Sequence, residues 1–178
     1  ALIRALGLSA PILLGHSMGG MTATVVASLA AQAIRGVILV DPTFLSPQRQ
    51  REVFDSDVAE QHRRLLGQDK CDVLAQLRSR HTHRSPEMVE LIASARLKTR
   101  INAFDVLTPP NPEYHPLISA IDVPILLVVG DAGVVSLEMA RELQSRHSHI
   151  QVELIHDAGH GVQYDQPERF EAVVQPFL

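Results

Sequence analysis

Residues Leu13-Leu14-Gly15-His16-Ser17-Met18-Gly19-Gly20 impose several local demands at once. The apolar run 11–14 has the length and composition of a short buried strand, and the Ala- and Val-rich stretch 18–32 reads as a helix. Gly15 and Gly19 bracket Ser17 at the join. A strand that becomes a helix in so few residues brings two backbones close, where glycine removes the Cβ atoms that would collide. The serine at the apex is then held in a strained conformation with its hydroxyl exposed. The helix start adds unpaired N–H groups, Met18's among them, and a positive dipole end where an oxyanion could be held. A glycine-bounded junction with Ser17 as a plain helix cap would carry the same letters. The strand before and the helix after are what favour the exposed nucleophile.

Further along, Val37-Ile38-Leu39-Val40 ends in Asp41-Pro42, 125–129 ends at Gly130-Asp131, and 151–155 precedes Asp157-Ala158-Gly159-His160-Gly161. These strands are continuously apolar rather than alternating, as a parallel sheet covered on both faces requires. Helices are expected over 136–146, capped by Ser136, and over 167–174. Residues 1–8 read as a helix end stopped by Gly7. The helix at 18–32 is apolar nearly all round and is expected to be buried. Between 44 and 120 the texture changes to dense charge and helical spacing, with helices expected over 47–66, 72–81 and 86–101. Ser46-Pro47 and Ser85-Pro86 are start signals, and Pro109-Pro110-Asn111-Pro112 is an extended connector. Two domains follow: an α/β core from 1–43 and 121–178, and a helical insertion over 44–120.

At Gly15-His16-Ser17-Met18-Gly19-Gly20 the chain resembles the α/β-hydrolase family, matching its GHSMGG form of the nucleophile elbow letter for letter. The resemblance implies an α/β fold class: the second half of a parallel α/β-hydrolase sheet, about four strands, with the 44–120 insertion as an all-helical lid. In that family the leading third of the domain supplies further strands and one of two oxyanion-hole N–H groups; Met18 supplies the other. Neither those strands nor a signal peptide is read near Ala1. The expectation is therefore a fragment with an open sheet edge, partnered by self-association or by the missing N-terminal half.

A serine hydroxyl needs a hydrogen-bonded base. Of nine histidines, His62, His81, His83, His115, His147 and His149 read as solvated surface, and His156 as a half-buried strand end. His16 lies in the elbow, where the family treats the position as structural. His81-x-His83 lacks a third ligand at metal spacing, so no metal and no cofactor is expected. His160 sits in a glycine-bracketed loop past the last strand, where open parallel sheets gather their sites. With Asp165-Gln-Pro-Glu after it, this loop resembles the family's histidine loop. The acid is Asp41 or, alternatively, Asp131, both at strand ends. Most of the family places the acid where this chain has Gly133. The run Gly130–Ser136 instead resembles the branch of some haloalkane dehalogenases and related luciferases, which implies Asp41. Those dehalogenases use an aspartate nucleophile, so Ser17 argues against dehalogenation.

The resemblance thus implies a serine hydrolase, esterase-like, acting through an acyl-enzyme. The substrate expected is a small, largely apolar carboxylic ester, thioester, lactone or vinylogous ketone. A non-catalytic small-molecule binding protein and an inactive half-domain are the alternatives. Composition narrows the partners: 46% hydrophobic residues and a net charge of −4 suit a globular domain and offer no basic stripe for nucleic acid. No apolar run approaches the ~20 residues of a membrane span. A single cysteine, Cys71, suits a reducing cytoplasm.

Overall fold

The computed structural model describes residues 2–82 and 84–178. Ala1 of the expected first helix and His83 of the His81-x-His83 pair lie outside them. In chain order come α1 (Leu2–Ala5), β1 (Ile12–His16), α2 (Met18–Ala30) and β2 (Gly36–Val40). Four helices follow: α3 (Pro47–Asp55), α4 (Val58–Leu66), α5 (Lys70–Arg80) and α6 (Pro86–Lys98). Then come α7 (Tyr114–Ser119), β3 (Ile125–Ala132), α8 (Leu137–Arg146), β4 (Ile150–Gly159), α9 (Val162–Asp165) and α10 (Pro167–Val174). The chain divides into a sheet unit, Ala1–Phe44 with Glu113–Leu178, and a helical unit, Leu45–Pro112.

The sheet unit has one four-stranded sheet in the order β1-β2-β3-β4, every pair parallel. Strict alternation along the buried strands divides its core. Val37, Leu39, Ile125, Leu127 and Val129 face α2, α7 and α8 through Ala27, Ile118 and Leu143. Ile38, Val40, Leu126 and Val128 face α10 through Val174 and Phe170. All five residues of β2 are buried, which is why its sequence runs apolar without interruption. The shared edges carry the strands further than apolar runs suggest. β1 continues through Gly15 and His16, which pair with Leu39 and Val40, and β3 and β4 continue to the pair Ala132–Gly159.

α2 is not buried all round. Its Ala23, Thr24 and Ala27 face enters the core, but Val26 is 36% exposed and Leu29 82%. β1 is an edge strand, so the outer face of α2 meets no further layer among the described residues.

The helical unit ends at Pro112 rather than at residue 120. The α7 side chain Ile118 belongs to the sheet core, and Tyr114 stacks on Phe44 with ring centroids 4.6 Å apart. The stretch expected as one helix over 47–66 is two, because Ser56 turns extended (φ −71°, ψ 162°) and Asp57 starts α4. The Ser56 hydroxyl donates to the Val53 carbonyl, a local bond that competes with the helix, while the Asp57 carboxylate accepts from the Gln61 and Arg64 side chains of α4. Val73, Leu77, Val89 and Ala93 form this unit's own small core between α5 and α6. His62, expected at the surface, is buried here. Its Nε2 lies 2.8 Å from the Thr99 carbonyl and its ring stands against Phe104.

His149, also expected at the surface, is half-buried just before β4, and its Nε2 is buried without a hydrogen-bond partner. Burial holds its pKa below the ordinary imidazole value of 6.5, His147 adding to the effect and Asp122 opposing it. Below that value the unfolded chain binds a proton that the folded chain resists, so stability rises with pH through this window. The thermal midpoint should therefore fall between pH 7.5 and pH 5.5, and fall less in His149→Gln. Equal pH slopes for the two proteins would assign the dependence to other groups.

Candidate active site

β1 delivers Ser17 and β2 delivers Asp41 at their carboxyl ends, and the loop leaving β4 delivers His160. Ser17 takes φ +56° and ψ −121°, a conformation a side chain rarely adopts, and it immediately precedes α2. Its amide donates to the Val40 carbonyl at 3.0 Å, while its own carbonyl accepts from Gly20, Met21 and Thr43. These bonds tie the turn to both the helix and the end of β2.

The glycines divide the steric work differently from the sequence expectation. A Cβ on Gly15 would stand 2.2 Å from the Gly19 carbonyl oxygen, and one on Gly20 would stand 2.8 Å from Pro42 Cβ. A Cβ on Gly19 would meet nothing within 4 Å. Gly19 contributes its backbone to the close approach, and it is Gly15 that must lack a side chain. Met18, in the first turn of α2, has an N–H without an acceptor four residues back and stands beside Ser17.

Ser17 Oγ lies 2.8 Å from His160 Nε2, and His160 Nδ1 lies 2.5 Å from Asp41 Oδ2. Asp41 is fully buried, while the His160 side chain is 42% exposed. The Asp41 carboxylate also accepts from Val134 N at 2.8 Å and from Val135 N at 2.9 Å, so the buried charge has three donors. A Cβ at Gly133 would stand 2.6 Å from Asp41 Oδ1. The residue where most of the family carries its acid is here the space that Asp41 fills.

Asp131 does not reach His160. It accepts from Asp157 N at 2.7 Å and stands 3.2 Å from His156 Nδ1. Between Gly130–Ile155 and Ala132–Gly159, β3 advances two residues while β4 advances four, and Asp131 fixes that bulge. Asp157 takes φ +60° in it, and a Cβ on Gly130 would strike the Ala158 carbonyl at 2.5 Å. His156 is therefore an exposed partner of Asp131 rather than a half-buried strand end.

His16, expected from the family resemblance to be a structural residue of the elbow, reaches across to the histidine loop. Its Nε2 donates to the His160 carbonyl at 2.7 Å, and the two imidazole rings lie with centroids 4.7 Å apart. Burial pushes the His16 pKa below its ordinary value, against the opposing effect of the His160 carbonyl. Its position in the elbow was visible, but its partner lies 144 residues away. Among the described residues no group of three or more His, Cys, Asp or Glu could hold a metal, and no helix is long and apolar enough to cross a membrane.

A family model described as alpha/beta hydrolase fold matches residues 1–167, so the chain belongs to the α/β-hydrolase family. N-formylmaleamate deformylase of Pseudomonas putida is 28% identical over all of this chain and 67% of its own length. The crystal structure of N-formylmaleamic acid deformylase from Pseudomonas putida S16 matches with TM-score 0.73 and 24% identity, over 97% of this chain and 68% of that one. A thermophilic esterase from Thermogutta terrifontis matches with TM-score 0.73 and 23% identity, over 99% and 67%. The last two likenesses are of fold. About a third of each relative's length has no counterpart in this chain.

The steric division among the glycines is testable by stability. Gly15→Ala should destabilise by about 2 kcal/mol or more, through overpacking against the Gly19 backbone. Gly19→Ala, inside α2 with open space around it, should be neutral or stabilising by up to about 1 kcal/mol. Urea titration of both variants reads the difference, and equal losses would show that both glycines are sterically required.

Proposed function

We propose that the chain is a serine hydrolase in which Ser17 is the nucleophile, His160 the general base and Asp41 the acid that orients it. The observation that supports this most directly is the unbroken hydrogen-bonded series Ser17 Oγ, His160 Nε2, His160 Nδ1, Asp41 Oδ2. As Ser17 Oγ attacks an acyl carbon, His160 Nε2 takes its proton and the imidazolium is stabilised by the buried carboxylate. The acyl oxygen gains charge beside the start of α2, where the Met18 N–H can hold it. His160 returns the proton to the leaving group, and water, deprotonated by the same imidazole, releases the acyl-enzyme.

The substrate class proposed is a small carboxylic ester, thioester, lactone or vinylogous ketone. The 28% identity to a deformylase across the whole chain supports a second reading, a small N-acyl amide split by the same steps. We assign substrate selection to the helical unit as a lid, since its chain leaves the sheet unit three residues after Asp41. The free edge of β1, with Leu14 52% exposed beside it, fits further strands of the same fold as its cover. Such strands would also carry the second oxyanion donor. The single thiol, exposed Cys71, fits a cytoplasmic setting.

A fluorophosphonate probe should label Ser17, and Ser17→Ala should abolish both labelling and ester turnover, a loss of about 10⁴- to 10⁶-fold in kcat. Substantial p-nitrophenyl ester turnover by a clean Ser17→Ala preparation would discard the mechanism. Among the acids, Asp41→Asn should lose about 10⁴-fold and Asp131→Asn stay within about tenfold. The reverse ranking would make Asp131 the acid. Gly133→Ala should mimic part of the Asp41 loss by displacing its carboxylate.

With one oxyanion donor, the isolated 178 residues should turn over about 10²- to 10³-fold below a complete site. They should also self-associate in sedimentation unless the β1 edge is covered. A monomer turning over at the ~10 s⁻¹ typical of enzymes would show that no added strands are needed.

A further inference from the structure

Resting on the reading of Ser17, His160 and Asp41 as a triad, we propose that His16 is a positioning residue for the base. It donates Nε2–H to the His160 carbonyl and supports the face of the His160 ring, so that both ring nitrogens stay on Ser17 and Asp41.

The geometry carries this in three steps. His16 sits on the last rung of β1, paired with Val40, so its backbone is among the most constrained in the site. Its side chain spans the gap to the histidine loop, with Nε2 2.7 Å from the His160 carbonyl oxygen. A carbonyl only accepts, so Nε2 carries the proton and the tautomer of neutral His16 is fixed. One strand therefore delivers the nucleophile and, through the preceding residue, holds the peptide of the base. The Ser17–His160 separation then depends on β1 rather than on the whole path through β4.

Other bonds hold the loop upstream of the base: Asp131 Oδ2 accepts from Asp157 N, and Asp165 Oδ2 accepts from Gly159 N at 3.0 Å. His16 acts on His160 itself. Its ring lies 4.7 Å from that of His160, tilted by 39°, and the Tyr164 ring meets His16 edge-on at 6.3 Å. The ionisable groups facing His16 are thus His160, Asp41 and Tyr164. Burial keeps His16 toward its neutral form. That suits the role, because His160 becomes a cation during acylation and a second cation against its face would oppose the proton transfer.

The test uses the 178-residue chain and two readouts: the rate of fluorophosphonate labelling at Ser17 at pH 8, and the low-field proton resonance of His160 Nδ1–H. Its loss in His160→Gln assigns that resonance. His16→Phe keeps a ring but removes the donor. It should slow labelling by about ten- to hundredfold, the scale of a misplaced catalytic group, and broaden or abolish the resonance. His16→Gln places an amide nitrogen near the Nε2 position and should recover most of both. A merely structural His16 would lower the thermal midpoint in His16→Phe yet leave the labelling rate and the resonance of the folded protein at wild-type values; that result overturns the proposal. Should His16→Phe fail to fold, His16→Gln against His16→Asn decides. The shorter Asn amide should label more slowly by a similar factor, and equal rates would overturn the proposal. If labelling and resonance both survive His160→Gln, the triad reading itself fails, and this proposal with it.

Discussion

A carboxylate with no access to water is the constraint on which the site depends. Asp41 is completely buried, and an unpaired charge there would cost several kcal/mol. Its compensation comes from three places: the consecutive amides of Val134 and Val135, and the His160 ring. The two amides bring the β3–α8 loop over the end of β2, and Val135 is itself fully buried in the core. The imidazole draws in the loop that leaves β4. Three chain segments far apart in sequence thus converge on one side chain, and the absence of a side chain at Gly133 is what gives it room.

The partner loop is built by a second carboxylate with a different task. Asp131 stands on β3 where β4 carries two extra residues, and it satisfies the amide of Asp157 at the bulge. The bulge lifts Ala158 and Gly159 across Gly130, which tolerates no Cβ, and sends His160 toward β2. The two aspartates are therefore complementary: one holds the ring of His160, the other shapes the chain that presents it.

Much of this was legible in the sequence. Continuous apolar runs announce parallel buried strands, and the Gly-x-Ser-x-Gly frame announces the turn, because each follows from local sterics and burial. The choice between Asp41 and Asp131 was open for a physical reason. Both end strands of a parallel sheet, and which one meets the histidine depends on a bulge in β4 that no local pattern signals. The same limit applies to His16 and His62, whose partners are backbone carbonyls distant in sequence. Gly19 misled in the opposite sense: it lies at the close approach, but only its backbone takes part, and the clearance is needed at Gly15. The break at Ser56-Asp57 was hidden because the charged periodicity continues across it, while the Ser56 hydroxyl captures the Val53 carbonyl that a continuous helix would use.

Strain is concentrated where these segments meet. The described non-glycine residues with positive φ are Ala10, Ser17, Asp41 and Asp157; Ser17 and Asp41 lie just past the ends of β1 and β2, and Asp157 lies in the bulge of β4. Each such residue costs on the order of 1–3 kcal/mol and persists only where its surroundings over-determine it. Here the surroundings can be named. The amide of Ser17 is fixed by the Val40 carbonyl, that of Asp41 by the Val128 carbonyl, and that of Asp157 by the Asp131 carboxylate. Each strained residue is thus anchored by the neighbouring strand or by a residue of it. Anchoring runs from β1 to β2, from β2 to β3, and from β4 to β3, so the sheet's own pairing order transmits the geometry of one catalytic candidate to the next. The parallel sheet is therefore more than a platform. Its ladder of adjacent strands holds Ser17, Asp41 and the approach to His160 in conformations that none of them would adopt alone.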